Sequence, residues 1–270
     1  MEKMKSEGSG AEISADQIVD LKQHPILTSE YANECQKELD ESGVLVLQGF
    51  LTNQALHSLQ EEARQARPSA FFCSRNHNVY LKDPDPDFPQ SHIRNLEIVS
   101  NKGCICHDQV PKESPLRTLY EWPEFRQFLV DVLGTKIYEY EDPLSSINVN
   151  YYEDGQELGW HFDNASFAVT LMVQHPAKGG EFQYRKNVRN ADAGDQGYEI
   201  ADSVVSGSLE CETLSMPAGT LVLFRGRNSI HRVTPVVGSP ARILVTLNYN
   251  TEPGVSLSEV ARMTFFGRLS

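Results

Sequence analysis

The sequence predicts a mainly β fold with flanking helices, for which a double-stranded jelly roll is the natural candidate. Three observations lead to this prediction. From Ile137 onward, the chain consists of short runs rich in β-branched and aromatic residues, separated by Gly, Pro and Asp. These runs recur at close and regular spacing, which is typical of a sandwich or a barrel. Helical periodicity, by contrast, occurs before Ile137.

The chain begins with a polar stretch, residues 1–14, which contains few apolar side chains and is therefore expected to be a disordered leader. We expect residues 15–270 to form a single domain, because a chain of 270 residues, 40% of them hydrophobic, can build one sizeable core. No apolar run approaches the roughly 20 residues needed to cross a bilayer. A soluble, cytoplasmic protein is therefore expected.

The first predicted elements are a short apolar strand and a helix, in the segment GVLVLQGFLTNQALHSLQEEARQA. Thr52 or Asn53 is the candidate N-cap of that helix. The stretch from Pro68 to Lys112 has little periodicity and much Pro, Asp and Asn, so it is expected to be mostly long loops. The segment TLYEWPEFRQFLVDVLG then predicts a helix that ends at Gly134.

The β region forms the predicted jelly-roll core, from about residue 137 to about residue 250. Its predicted strands are SINVNYY, FAVTLMVQ, GEFQYR, TLVLFRG, IHRVTPV and ARILVTLNYN.

Charge and cysteine content limit the function. A formal net charge of −13 argues against nucleic acid as the main partner, because phosphate binding relies on clustered Lys and Arg. The five cysteines have no regular spacing, which fits a reducing compartment. Cys104, Cys106 and His107 lack a second ligand pair that would complete a zinc site, so buried thiols are the favoured interpretation.

A candidate metal site is formed by His161, Asp163 and His231. Residues i and i+2 of an extended strand point to the same side, so His161 and Asp163 can reach one metal ion. A His-x-Asp pair alone is common and more often a turn or a surface pair. His231, in a second β-like run, supplies the third ligand of a facial triad, which suits Fe(II) and leaves three coordination positions open.

Arg242 strengthens this interpretation, because it follows His231 by eleven residues in a strand-like run. Positions 242, 244, 246 and 248 of that run share one face. A guanidinium on this face can hold a carboxylate through two hydrogen bonds, so an organic acid is expected beside the metal.

These motifs resemble the Fe(II)/2-oxoglutarate-dependent oxygenases. The His-x-Asp pair and the segment PAGTLVLFRGRNSIHRVTPVVGSPAR match the double-stranded β-helix, or cupin-like jelly roll, of that superfamily. Tyr152, Gly155 and His161 resemble the Y-x-x-G-x5-H pattern of its prolyl-4-hydroxylase-like branch. WHFDNASFAVTLMVQ followed by GGEFQYR is similar to the group of free-amino-acid hydroxylases and halogenases.

The resemblance implies a role for each matching residue. His161, Asp163 and His231 match the iron ligands, and Arg242 matches the residue that anchors the distal carboxylate of 2-oxoglutarate. Fe(II) is then the cofactor, with 2-oxoglutarate and O2 as co-substrates. Further contacts to the distal carboxylate are expected from Tyr152 and Thr246, although both residues could instead only fill the barrel.

Asp163 distinguishes two reactions within the group that the sequence resembles. Halogenases of this kind have Gly or Ala at this position, which opens a coordination site for chloride. The resemblance therefore implies a hydroxylase that acts on a free L-amino acid or a close derivative and releases succinate and CO2.

Arg94 and Asn164 are the candidate substrate contacts. The amino-acid-modifying relatives carry an upstream arginine that grips the substrate carboxylate, and Arg94 is the best match, with a surface arginine as the alternative. Asn164 directly follows Asp163 and could face the substrate. Its amide pairs only weakly with a cation, which argues against lysine as the substrate.

Two other functions stay open from sequence alone. The first is a hydroxylase of a protein or peptide side chain, which the prolyl-hydroxylase resemblance allows. The second is a non-catalytic jelly-roll protein that binds metal.

Overall fold

The computed structural model describes residues 14–270, so the predicted leader lies outside the described residues except for its last position. The helices are α1 (Ser29–Ser42), α2 (Asn53–Ala66), α3 (Pro115–Glu121), α4 (Pro123–Leu133), α5 (Tyr198–Val205) and α6 (Glu259–Phe266). The strands are β1 (Val44–Leu47), β2 (Phe71–His77), β3 (Ile98–Ile105), β4 (Tyr138–Glu139), β5 (Ile147–Tyr152), β6 (Leu158–His161), β7 (Ala168–Gln174), β8 (Phe182–Arg185), β9 (Glu212–Leu214), β10 (Leu221–Phe224), β11 (Ile230–Val233), β12 (Arg242–Leu247) and β13 (Tyr249–Asn250).

Eleven strands form one large antiparallel sheet, in the order β1-β10-β7-β12-β5-β3-β6-β11-β8-β9, with β2 paired to β3. Strands β4 and β13 pair with each other in a separate sheet. Strand β3 joins the two halves of the large sheet. It pairs with β5 over residues 103–105 but with β6 only at Ser100, opposite Leu158. The sheet therefore curls at β3 into a half-barrel, and the predicted mainly β jelly roll is confirmed.

The register of β5 and β12 separates an apolar outer face from a polar inner face. Arg242 lies opposite Tyr152, Leu244 opposite Asn150, and Thr246 opposite Asn148, and all six side chains share the inner face. The residues between them on these two strands belong to the main apolar core; they are Ile147, Val149, Tyr151, Ile243, Val245 and Leu247. At β5 and β12 the sheet thus has an apolar, buried outer face and an inner face that carries polar side chains.

Helices α1 to α4 cover the outer face. Their buried side chains, such as Leu39 of α1, Leu59 of α2 and Leu129 of α4, belong to the same core as Val245 of β12. Burial of apolar surface contributes about 25 cal/mol per Å², so this layer is the main stabilising contact between the helices and the sheet. It leaves the interior of the half-barrel free for a binding site.

Several local predictions are confirmed. The helix predicted after the first strand is α2, and the hydroxyl of Thr52 accepts a hydrogen bond from the Ala55 amide at 3.2 Å, as an N-cap does. Each of the six predicted β runs contains at least one observed strand. Gly134 ends α4 with φ 67°, a left-handed conformation that Gly adopts without a Cβ penalty.

One local prediction is wrong and another is incomplete. The helix predicted over TLYEWPEFRQFLVDVLG is two helices, α3 and α4, because Pro123 has no amide hydrogen and disfavours a helical Trp122, whose ψ is 114°. The stretch expected to be mostly loops contains the hairpin β2–β3, paired over seven positions from Phe71 opposite Cys104 to His77 opposite Ile98. Its strands are mixed in polarity, so pairing rather than alternation determines their conformation.

No helix within residues 14–270 combines the length and the apolar character that a membrane span requires.

Candidate metal and co-substrate site

Two adjacent strands of the curled sheet supply the predicted imidazoles. His161 is the last residue of β6 and His231 lies in β11, directly opposite it in the antiparallel register. Asp163 follows β6 by two residues, and its amide donates a hydrogen bond to the Gly226 carbonyl at 3.1 Å. The chain therefore brings the three side chains to the same point.

The potential ligand atoms converge. Asp163 Oδ1 lies 3.6 Å from His161 Nε2 and 3.5 Å from His231 Nε2, and all three ligand atoms lie within 4.8 Å of one another. The two imidazole rings have centroids 4.1 Å apart. A single ion can therefore contact all three atoms.

Both imidazoles are held in the same tautomer by their own strands. His161 Nδ1 donates to the Gly159 carbonyl at 2.8 Å, and His231 Nδ1 donates to the Ser229 carbonyl at 3.0 Å. A carbonyl can only accept, so the proton is on Nδ1 and the Nε2 lone pair is available to a metal. Such contacts orient the ligands of metal sites.

Asp163 carries an unused oxygen. Its Oδ2 atom is buried and has no hydrogen-bond partner among the described residues. A Cβ on Gly226 would lie 1.9 Å from Oδ2, so the absence of a side chain at Gly226 makes room for the carboxylate. A buried, unpaired carboxylate oxygen is costly unless a cation satisfies it.

The electrostatics favour the ligand-competent forms. Burial opposes ionisation of Asp163, but His231 and His161 outweigh it and hold the pKa of this carboxyl well below its usual range. Burial, followed by the neighbouring His231, lowers the pKa of His161, so its neutral form is favoured. A carboxylate and a neutral imidazole are the forms that bind metal.

This donor set fits a divalent first-row metal. Two imidazole nitrogens and one carboxylate leave open positions on an octahedral ion, and this combination is the one found in non-haem Fe(II) oxygenases. The unpaired Oδ2 of Asp163 agrees with that fit.

Arg242 is a buried cation without a partner. Its side chain is 0% exposed, and Nε, Nη1 and Nη2 all lack a hydrogen-bond partner among the described residues. Burial lowers the pKa of Arg242 to about 10, which leaves the guanidinium charged at neutral pH. An unpaired buried charge costs several kcal/mol, so the interior is built for an anion that the protein chain does not itself provide.

The two predicted neighbours of Arg242 lie on the same inner face. The guanidinium carbon is 5.3 Å from the ring centroid of Tyr152, its cross-strand partner. Thr246, two pleats further along β12, lines the main cavity together with His161 and Asp163. The structure thus places Arg242, Tyr152 and Thr246 on one face of the sheet, and of these three Thr246 lines the cavity with His161 and Asp163.

The interior opens into a cavity of about 960 Å³. The curled sheet, the β2–β3 hairpin and helix α6 form its walls. Its polar residues include Asn148 and Asn150 of β5, and Lys102 Nζ donates to Asn150 Oδ1 at 2.7 Å. Asn148, Asn150 and Lys102 were not among the predicted site residues. The two asparagines that alternate with apolar residues in SINVNYY nevertheless indicate a polar inner face.

Arg94 and Asn164 lie apart from the cavity wall. Arg94 Nη2 donates to the Asp83 carbonyl at 2.9 Å, and its Nε lies 3.9 Å from Asp85 Oδ2. Asn164 is exposed, and its carbonyl accepts a hydrogen bond from Arg227. An arginine that does line the cavity is Arg75 of β2.

Most of the chain matches one known protein family. Residues 27–264 match the family model described as Halogenase D, or HalD. The chain belongs to the HalD family. No curated protein matches its sequence.

Solved structures resemble this HalD-family protein in fold. A prolyl hydroxylase from Trichoplax adhaerens, in complex with a hypoxia inducible factor peptide, has a TM-score of 0.58 at 14% identity, over 87% of this chain and 96% of that one. The non-heme alpha ketoglutarate dependent carbocyclase SnoK, from nogalamycin biosynthesis, has a TM-score of 0.56 at 14% identity and covers 94% of both chains. A 2OG-Fe(II) oxygenase family protein from Burkholderia pseudomallei has a TM-score of 0.54 at 14% identity, over 83% and 92%.

At this identity the likeness establishes a common fold. The HalD-family chain has the fold of the 2-oxoglutarate- and Fe(II)-dependent oxygenases, as the motifs predict. The predicted enzyme class, a 2-oxoglutarate-dependent dioxygenase, and its cofactor set, Fe(II) with 2-oxoglutarate and O2, agree with this fold and with the His161, Asp163 and His231 cluster.

Proposed function

We propose that the protein is an Fe(II)- and 2-oxoglutarate-dependent dioxygenase that hydroxylates an unactivated C–H bond of a free L-amino acid or a close derivative. In the balanced reaction, substrate, 2-oxoglutarate and O2 give hydroxylated substrate, succinate and CO2. The observation that carries this proposal is Arg242, a fully buried guanidinium whose three nitrogens have no partner within residues 14–270. It lies on the same strand face as Thr246, which lines a cavity with His161 and Asp163 of the two-imidazole, one-carboxylate cluster. A dicarboxylate beside a metal satisfies both groups.

Each residue has a defined task in this proposal. His161, Asp163 and His231 hold the metal through two Nε2 atoms and a carboxylate. Arg242 takes the distal carboxylate of 2-oxoglutarate in a bidentate pair, with Tyr152 and Thr246 as further contacts on the inner face. When bound, Fe(II) and 2-oxoglutarate supply the oxidising chemistry, and the protein places the target carbon and excludes water.

The substrate contacts are a separate part of the proposal. Arg94 already donates to the Asp83 carbonyl, whereas Arg75 lines the cavity and is exposed. This placement favours Arg75 over Arg94 as the residue that grips a substrate carboxylate. Asn164 stays a candidate for the substrate contact next to Asp163.

The family description suggests halogenation as a second reaction. Asp163 argues for oxygenation, because its carboxylate lies within 3.6 Å of both imidazoles and supplies an anionic ligand where a halide would otherwise bind. In buffer with saturating chloride, we expect product masses that gain one oxygen and no chlorine. A mainly chlorinated product would show that Asp163 is not a ligand during turnover.

The experiment that tests the proposed function is a panel of free L-amino acids and their N-acyl derivatives, each incubated with protein, Fe(II), ascorbate and 2-oxoglutarate in air. Product masses and succinate are measured together. We expect succinate formation that depends on Fe(II), with a gain of one oxygen on one panel member. His161→Ala is the control and should give neither. Absence of succinate above this control for every member would favour a non-catalytic metal-binding protein.

A further inference from the structure

The outer part of the cavity is apolar and exposed. Eleven large hydrophobic side chains of the described chain are exposed, and five of them line this one cavity. They are Leu81, Val260, Met263, Phe265 and Leu269. Contiguous exposed apolar surface next to a cavity is the usual mark of a binding site, whereas single exposed apolar residues are normal.

Leu81 is held towards this surface in a conformation that leucine rarely adopts. Its φ is 52°, and a left-handed backbone costs a residue with a Cβ of the order of 1 kcal/mol. Buried Asn78 fixes the turn, because its side chain donates to the Lys82 carbonyl at 2.6 Å and accepts from the Tyr80 amide at 3.1 Å. Such strain persists only where the surroundings enforce it, and it concentrates at ligand sites.

The polar part of the cavity contains two cations and two carboxylates, in a protein that is anionic as a whole. Arg75 and Lys102 line it, against a formal net charge of −13 for the chain. Its carboxylates are Asp163, at the metal cluster, and Glu259, at the start of α6. Asp163 belongs to the metal cluster, so Arg75 and Lys102 are the cations of the lining that can pair with an anionic head group.

The size of the cavity exceeds the needs of a compact substrate. About 960 Å³ lies at the upper end of the roughly 300–1,000 Å³ that drug-sized ligands occupy. In the proposed function, the co-substrate would take only the part of this cavity near His161, Asp163 and Thr246. The remaining space therefore suits a substrate with an extended body.

We propose, on the basis of the function proposed above, that the substrate is an amino-acid derivative that carries a long apolar group, such as an N-acyl chain, and not a compact free amino acid. Its carboxylate binds Arg75 and Lys102, and its apolar chain lies along Leu81 and the exposed side of α6. Val260 is 76% exposed and Met263 is 47% exposed, so the chain would cover surface that now faces water.

The test measures binding without turnover. Full-length protein is loaded with Mn(II) and 2-oxoglutarate under nitrogen, and isothermal titration calorimetry is performed with N-acyl-L-alanines from acetyl to decanoyl, below their micellar concentrations. We expect the Kd to decrease about two- to threefold for each added methylene, somewhat less than full burial would give. The primary amide of the octanoyl compound, which lacks the carboxylate, should bind at least tenfold more weakly.

Variants locate the apolar chain. Val260→Asp and Met263→Asp change exposed positions of α6 and should weaken octanoyl-alanine about tenfold while leaving acetyl-alanine unchanged. Val237→Asp is the matched control, because Val237 is 48% exposed and lies outside the cavity. An equal loss in Val237→Asp would indicate non-specific adsorption and overturn the proposal.

Three further results would also overturn it. The first is a Kd that does not change with chain length. The second is tight binding only of peptides several residues long. The third is a change of oligomeric state in Val260→Asp, which would show that a second copy covers this face. The thermal shift caused by 2-oxoglutarate should be normal in all these variants, and its absence from the wild-type protein would count against the proposed function instead.

Discussion

At the scale of single residues, the site is defined by buried polar atoms that have no hydrogen-bond partner within residues 14–270. Among the residues that the structure describes, the three buried nitrogens of Arg242 and one buried oxygen of Asp163 have no hydrogen-bond partner. Folded proteins rarely leave such atoms unpaired, because each costs about 1–3 kcal/mol, or more when charged. Both groups are thus kept at the expense of stability, as expected of residues selected for binding.

The first prediction concerns Arg242→Met. The variant removes an uncompensated buried charge, so the metal-free and 2-oxoglutarate-free protein should gain about 1–3 kcal/mol of unfolding free energy. The sign follows from the pKa of Arg242, which burial lowers to about 10, so at neutral pH the folded state bears the full cost of the charged form.

Urea denaturation measures this gain, and the thermal shift caused by 2-oxoglutarate is recorded in parallel. This thermal shift should vanish in Arg242→Met. It should be partly retained in Arg242→Lys, which keeps the positive charge but lacks the two parallel N–H donors of a guanidinium. A less stable Arg242→Met protein that still responds normally to 2-oxoglutarate would contradict the assignment.

The second prediction concerns Gly226→Ala. The new methyl group would lie 1.9 Å from Asp163 Oδ2, so the carboxylate must move away and the affinity for Mn(II) should decrease at least about tenfold. A double-mutant cycle with Asp163→Ala provides the control, because removing the carboxylate removes the closest clash and leaves only a 3.0 Å contact with His231 Cε1. Equal effects of Gly226→Ala in both backgrounds would mean that it acts through the fold and not through Asp163.

At the scale of secondary-structure elements, hydrogen bonds between β3 and β6 support the first histidine ligand. Ser100 Oγ accepts from the Gly159 amide at 2.9 Å and also contacts His77 Nε2 at 2.6 Å. The Gly159 carbonyl in turn accepts from His161 Nδ1. A Cβ on Gly159 would lie 2.4 Å from the Val99 carbonyl, so the two strands approach closely at this point.

The third prediction follows from this chain of contacts. Ser100→Ala should lower the unfolding free energy by about 1 kcal/mol, as the loss of one hydrogen bond typically does. It should also weaken Mn(II) binding several-fold, because β6 would hold His161 less firmly. Ser74→Ala, at an exposed position in the same hairpin, is the control and should change neither quantity. Unchanged Mn(II) affinity in Ser100→Ala would limit Ser100 to a structural role.

Single elements also show what the sequence can predict. Helix α2 and the β region were predictable because apolar spacing, the Thr52 cap and β-branched runs are local signals. The break between helices α3 and α4 at Trp122 also has a local signal, Pro123. The apolar periodicity on both sides of Pro123 led instead to the prediction of one helix. The β2–β3 hairpin was not predictable in this way, because its strands are defined by partners up to thirty-three residues away.

The metal and co-substrate residues were predicted from their spacing, and the structure brings His161, Asp163 and His231 together. The substrate side was not predictable to the same degree. Helix α6 and the turn at Leu81 reach the cavity only through tertiary packing, and no spacing rule connects them to His161. Arg94 was the candidate from the sequence, and the position of β2 is what brings Arg75 to the cavity instead.

At the scale of the whole molecule, metal binding should depend on pH through the buried ligands. The pKa of Asp163 is held well below its usual range, so this carboxylate is ionised throughout the accessible range. The pKa of His161 is lowered, mainly by burial, so protons compete with the metal only below the usual imidazole value of about 6.5.

The fourth prediction is that the stabilisation caused by Mn(II) is constant near neutral pH and decreases in acid. The increase in Tm caused by a fixed excess of Mn(II) should be constant from pH 8 to about pH 6.5 and should decrease below that, because binding then requires loss of a proton. His161→Ala should show no increase at any of these pH values. A Tm increase that becomes larger as the pH falls below 6.5 would contradict ligation by His161.

The two hydrogen bonds from Nδ1 have a consequence for how the metal-binding unit is encoded. Each donor and acceptor pair lies within one tripeptide, Gly159–Trp160–His161 and Ser229–Ile230–His231, and in both cases the acceptor is backbone. Within residues 14–270, no side chain hydrogen-bonds to either Nδ1 atom and so specifies which ring nitrogen carries the proton. Each tripeptide thus fixes the tautomer of its own histidine. Two such tripeptides, held extended and opposite each other in another antiparallel sheet, should also present two Nε2 lone pairs to a metal ion.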